Sequence, residues 1–128
     1  MIKIKNVAVA AAIAVVVAFG AGFTANSAYA AADGAKIFKK CKACHSFDKN
    51  KIGPSLAGIV GRKAGAVDGY KYSKAMKKAA EGGLVWNEEN LDKFLTKPKK
   101  FMKKTKMTFA GLKKEDQRKA IIAFLKSK

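Results

Sequence analysis

Residues 39–48 read KKCKACHSFD and hold both cysteines and the only histidine of a 128-residue chain. Three strongly metal-binding side chains, Cys41, Cys44 and His45, thus fall within five consecutive positions. Three chemistries compete for such a cluster. A Cys-x-x-Cys pair in an exported protein can close into a disulfide. Loops that small belong mostly to redox-active thioredoxin-like folds, which need a βαβ pattern around the motif, and no such pattern flanks this one. Structural zinc takes four ligands, and two thiolates with one imidazole leave it one short. Cys-x-x-Cys-His is also the spacing by which haem c is attached. There each thiol forms a thioether with a haem vinyl group, and the adjacent histidine is held against the iron as proximal ligand. Only haem uses all three side chains.

The start of the chain indicates the compartment. Lys3 and Lys5 form a short basic segment, an apolar run of 17 residues extends from Val7 to Phe23, and Ala28-Tyr29-Ala30 follows. That order is a secretory signal peptide, residues 1–30, cleaved after Ala30. It predicts a single domain, 31–128, in the periplasm. The alternative is an uncleaved anchor tethering the domain to the inner membrane, since 17 apolar residues reach the lower limit for spanning a bilayer.

The remaining chain reads as one small all-α domain of four to five short helices joined by long loops. Asp33 is placed to cap a helix running to about Cys41, with Ile37, Phe38 and Cys41 on one side. Residues 52–69 lack periodicity and carry Gly53-Pro54, Gly58, Gly61, Gly65 and Gly69, a turn-rich segment. Ser73 caps a helix through Ala80, ended by Gly82-Gly83. Asn87 caps the next, with Glu88 and Glu89 in the first turn, where the helix dipole favours negative charge. Leu91, Phe94 and Leu95 form its apolar stripe, and Pro98 stops it. A loop to Leu112 precedes a last helix from about Glu115 to the C-terminus, with Ile121, Phe124 and Leu125 on one face. No strand is predicted. This is a small core for about a hundred residues, and long loops need something to rest on. A covalently held haem would supply that plate, which predicts little structure in the chain before haem is attached.

With a single histidine, an iron cannot be ligated by two. The sixth position falls to a methionine, a lysine or nothing, and the choice separates an electron carrier from a gas-binding or peroxidase-like haem protein. Met76, Met102 and Met107 compete; Met76, inside a short helix, reads as core filling.

At Met107 the chain resembles a known family. Residues 97–114 read KPKKFMKKTKMTFAGLKK, similar to the NPKKY…PGTKMxFAGxKK stretch of the mitochondrial-type, class I cytochromes c. The segment GPSLAGIVGRKAG after CKACH, then GYKYSKA, the single Trp86 and the closing IIAFLKSK follow in family order, so the resemblance covers nearly all of 31–128. It implies the small class I fold, with helices and loops wrapped around one haem c bound through Cys41 and Cys44. It implies Met107 as sixth ligand opposite His45, and a Pro54 carbonyl that accepts the His45 Nδ1–H and orients the ring. Arg62, Tyr72, Ser73 and Trp86 match positions that hydrogen-bond the haem propionates or their surroundings. Ordinary packing is the competing account, strongest for Ser73. Gly34 and Phe38 match first-helix residues that meet the last helix, here through Ile121 and Phe124.

Three departures stand out. The stretch between Tyr72 and Trp86 is three residues longer than in mitochondrial forms, as in some bacterial relatives. Phe94 replaces a tyrosine whose hydroxyl reaches the axial sulfur, so that hydrogen bond should be missing. Lys103-Lys104 replaces the usual Pro-Gly, which loosens the loop and adds two amines near the iron. A loop lysine is therefore expected to displace Met107 at lower pH than in Pro-Gly relatives.

Histidine and thioether suit both oxidation states of iron, and weak thioether donation raises the potential. With no open site and no spare histidine or paired carboxylate poised for acid–base work, the expected function is single-electron transfer, without enzymatic activity. The alternative is the open-site haem protein; helical-bundle gas-binding cytochromes, however, carry Cys-x-x-Cys-His near the C-terminus, and here it lies near the N-terminus.

Partners follow from charge. The chain has 27 Lys plus Arg against 9 Asp plus Glu, a net +18. Lys39, Lys40 and Lys42 surround the haem motif, and Lys99, Lys100, Lys103, Lys104 and Lys106 flank Met107. A positive rim there steers a monomer onto acidic docking faces of redox complexes. The family implies a quinol-oxidising bc-type complex as donor and a terminal oxidase or other reductase as acceptor, in respiration or photosynthesis. Basic charge alone is weak evidence for nucleic acid and leaves the motif unexplained, so none is expected. A weak attraction to anionic membranes is.

Overall fold

The computed structural model describes residues 25–128. The basic start and the apolar run of the expected signal peptide, and with them the anchor alternative, lie outside the described residues. No helix among the described residues is long and apolar enough to cross a membrane.

Among the described residues five helices follow one another: α1 (Ala25–Phe38), α2 (Lys74–Glu81), α3 (Glu88–Thr96), α4 (Pro98–Phe101) and α5 (Glu115–Lys126). Among the described residues extended pairing is limited to an isolated antiparallel bridge, Lys63 with Val85, as an all-α chain should show. Side-chain caps start α2 and α3 where the sequence puts them. Ser73 accepts from the Met76 N–H and Asn87 from the Asn90 N–H, and each satisfies a backbone donor the helix itself leaves open.

Two boundaries differ from expectation. Instead of running from Asp33 to Cys41, α1 begins at Ala25 and ends at Phe38. Asp33 therefore lies inside the helix, exposed, its carboxylate 3.6 Å from the Lys36 ammonium one turn on. Alanine has the highest helix propensity, and the run Ala30-Ala31-Ala32 carries the helix past the expected cap. The second difference is α4, in a segment expected to be loop throughout. Pro98 ends α3 and also opens α4 at its first turn, where a fixed φ and a missing N–H cost nothing.

The core forms where α1 crosses α5. A Cβ on Gly34 would lie 2.2 Å from the Ala120 carbonyl oxygen and 2.4 Å from Phe124 Cβ. The helices approach this closely only because Gly34 has no side chain. Below the crossing, Phe38 stacks on Phe47 with ring centroids 4.7 Å apart and meets Phe124 at 5.5 Å. The expected partners were Ile121 and Phe124. Phe124 takes the contact, while Ile121, 1 % exposed, belongs to the inner core with Leu91, Leu95 and Leu125. A second aromatic group joins Trp86, Phe94 and Phe101.

Candidate functional site

The last turn of α1 runs directly into the Cys-x-x-Cys-His motif. Beyond Phe38 the chain tightens into turns, with the Cys41 N–H on the Phe38 carbonyl and the Cys44 and His45 N–H groups both on the Cys41 carbonyl, at 2.8, 3.0 and 2.9 Å. This compact winding fixes the two thiols and the imidazole relative to one another. Cys41 and Cys44 are free, half-buried thiols. Burial pushes the Cys41 thiol above its ordinary range, with Lys40 pulling it partly back. Among the described residues no three His, Cys, Asp or Glu side chains converge as a group that could hold a metal ion.

His45 is gripped by the loop that follows. Its Nδ1 lies 2.8 Å from the Pro54 carbonyl oxygen, a contact in which Nδ1–H donates. Burial draws the imidazole below its ordinary pKa; the Pro54 bond opposes this, and Arg62 and Lys51 reinforce it. With the Nδ1–H donating to Pro54, the second ring nitrogen, Nε2, is the one left for a metal. Its face rests on Gly53. A Cβ there would come within 2.3 Å of His45 Cε1 and 2.8 Å of Nε2. Sequence reading took Gly53 as a turn residue only. A glycine just ahead of the proline that orients the histidine was the available signal. Backbone bonds close the grip, from the Gly53 N–H to Cys44 O at 2.7 Å and from the Lys51 N–H to Gly53 O at 2.9 Å.

The loop after α4 carries Met107, half-buried against the core. Of its competitors, Met102 is a buried core residue, 6 % exposed, and Met76 packs half-buried on α2. Lys104 has φ 62°, the one non-glycine residue with positive φ among those described. It occupies the place the family gives to glycine, in a conformation that costs an L-residue about 1–2 kcal/mol. Lys106 reaches across to the Lys71 carbonyl at 2.8 Å. Phe94 is buried against Trp86 and Phe101, and its phenyl ring offers no hydrogen-bond donor.

The bridge at Lys63 and Val85 brings Arg62 beside Trp86, whose backbone N–H donates to the Arg62 carbonyl at 2.8 Å. The Arg62 guanidinium donates to Ala57 O at 2.8 Å and Ser55 O at 2.9 Å. Among the described residues it has no carboxylate partner, and burial lowers its pKa while Tyr72 nearby raises it. A cation held by carbonyls alone suits an acidic group brought in from elsewhere. The Tyr72 hydroxyl accepts from the Val67 N–H at 3.0 Å. The Ser73 hydroxyl accepts the Met76 N–H at the cap of α2, and its own proton stays free to donate.

Lys39, Lys40, Lys42, Lys99, Lys100, Lys103, Lys104 and Lys106 are all exposed. None of them forms an ion pair with a described carboxylate. Two thiols in fixed register, a histidine oriented through Nδ1 with its other nitrogen available, half-buried apolar side chains such as Leu56, Val60, Leu84 and Phe109, and a guanidinium without a carboxylate partner among the described residues make a donor set that fits haem c.

Known proteins point the same way. The cytochrome c family model matches residues 31–128. Cytochrome c2 of Afifella marina is 46% identical over 99 residues, covering 75% of this chain and 80% of that one. Cytochrome c2 iso-2 of Magnetospirillum molischianum is 49% identical over 98 residues, covering 75% and 98%. Among solved structures, cytochrome cH from Methylobacterium extorquens superposes with a TM-score of 0.73 at 48% identity, covering 77% of this chain and 98% of its own.

Proposed function

The chain belongs to the cytochrome c family, class I, and we propose that it carries single electrons between redox complexes with His45 and Met107 as axial ligands of one haem c. The family carries that haem covalently, and Cys41 and Cys44 are the residues to hold it. The observation that supports the reading best is the grip on His45. Its Nδ1 proton is committed to Pro54 and its face is flat on Gly53, so the remaining nitrogen is aimed and kept from rotating.

When bound, the haem supplies a one-electron iron couple. The chain's own residues do the rest. Pro54 strengthens imidazole donation by accepting its proton. Met107 closes the sixth position to outside ligands, which separates a carrier from an open-site haem protein. Arg62, which has no carboxylate partner among the described residues, would neutralise a propionate, and Tyr72, Ser73 and Trp86 would complete its hydrogen-bonding surroundings. The lysine rim steers the protein to acidic faces of its partners, with a quinol-oxidising bc-type complex as donor and a terminal oxidase or another reductase as acceptor, and their association weakens as salt rises. The proposed location is the periplasm, reached by cleavage after Ala30.

A spectroelectrochemical titration of the purified holoprotein tests this function. A single transition with a one-electron slope of about 59 mV per decade, in a reduced protein that does not take up carbon monoxide, is the expected result. Ready carbon monoxide binding would mean an open iron site and would sink the carrier reading.

A further inference from the structure

The loop that presents Met107 leaves the site through Gly111, Leu112 and Lys113, and this exit is held from two sides. On one side is the C-terminal end of α3. The Leu112 N–H donates to the Leu95 carbonyl at 2.7 Å. Gly111, at φ 114°, lies so close to α3 that a Cβ there would meet the Thr96 carbonyl oxygen at 2.2 Å. On the other side is α5. Arg118 Nη1 donates to both the Leu112 and Lys113 carbonyls at 3.0 Å, and its Nε donates to Asp92 Oδ1 at 2.7 Å.

Arg118 is unlike the surface lysines. Its side chain is only 11 % exposed, and it ties Asp92 of α3 to two carbonyls of the Met107 loop. The other ion pairs among the described residues join side chains at least half exposed. The planar guanidinium makes these three bonds at once, which a lysine ammonium on a flexible stem cannot reproduce with the same geometry.

We propose that Arg118, anchored by Asp92, is a positioning residue for Met107. It fixes the end of the loop against which the strained Lys104 segment closes, and so sets how often the sulfur leaves the iron. This inference rests on the reading of Met107 as sixth ligand and adds a residue to it.

The experiment measures imidazole binding to the oxidised holoprotein. Imidazole enters only when the methionine loop opens, so its apparent affinity reports the opening equilibrium. Arg118→Met removes three hydrogen bonds and should raise the apparent imidazole affinity about tenfold. Arg118→Lys should fall between that variant and the wild type, and Asp92→Asn should show a smaller rise than Arg118→Met. Global unfolding in guanidinium chloride is measured in parallel. A purely structural role predicts lower global stability with unchanged imidazole affinity, and that result in Arg118→Lys and Asp92→Asn overturns the proposal. These two milder variants carry the test if Arg118→Met does not fold. Failure of the underlying reading looks different: Met107→Ala would then bind imidazole no better than the wild type.

Discussion

The two sides of the iron site are built by different means. The histidine side is a short stretch of chain closed on itself, from Cys41 to Pro54, with local backbone bonds, a glycine under the ring and a proline carbonyl at Nδ1. Nothing in it is strained by a positive φ. The methionine side is a longer, lysine-rich loop. It contains a left-handed Lys104 and depends on side chains from distant parts of the chain, Lys106 on Lys71 and Arg118 on Leu112 and Lys113. A ligand gripped by its own neighbours stays in place during local fluctuations, whereas one on a strained, remotely tethered loop leaves first. With the proposed ligand pair, this asymmetry would make His45 the fixed ligand and Met107 the exchangeable one.

The largest effect should come from breaking the tight side. Gly53→Ala places a methyl group inside the imidazole ring's volume, and the ring has no room to retreat without losing Pro54. Overpacking of this kind costs about 1–3 kcal/mol and sometimes more. We expect a holoprotein with lower stability to guanidinium chloride and poor haem incorporation. Wild-type stability in Gly53→Ala would show that the ring is not seated on that glycine.

A smaller change should follow from relaxing the loose side. Lys104→Gly relieves the left-handed backbone, while Lys104→Ala removes the same amine and keeps the strain. In the oxidised protein the pH midpoint for loss of methionine ligation should be higher in Lys104→Gly than in Lys104→Ala, by roughly one unit. Equal midpoints would leave the lysine amine, and not the backbone, as the reason for any early transition. The Lys103→Pro, Lys104→Gly double variant should move the midpoint furthest upward, because proline also restricts the opened loop. The smallest shift belongs to Lys106→Met. Its lost bond to the Lys71 carbonyl lies in solvent, where such contacts contribute little, and the midpoint should fall by a few tenths of a unit at about 0.1 M salt.

These contrasts also explain what could be read from the sequence. The histidine side is local in sequence as well as in space, so Cys41, Cys44 and His45 were legible from one short segment, while the role of Pro54 came from the family resemblance and its carbonyl does lie 2.8 Å from Nδ1. The caps Ser73 and Asn87 were legible for the same reason, since a cap is a contact between residues three apart. The start of α1 was not, because the alanine run competes with Asp33 as a capping signal and wins. Pro98 was read as a stop alone, although proline suits a helix start equally well. Gly53 shows its second use only when the ring above it is in place. Arg118 was missed because its partners are a carboxylate on α3 and two carbonyls of the methionine loop, a convergence that only the packed chain displays. The remote tethers that make the methionine side loose are the same features that hide it from sequence reading.

Closure of the iron site by His45 and Met107 is tested most directly by the absorption spectra of the oxidised holoprotein and its Met107→Ala variant. A weak long-wavelength band from sulfur-to-iron charge transfer is expected in the wild type and should be lost in the variant. A wild type without that band, or a variant that keeps it, would contradict the assignment of Met107 as the sixth ligand.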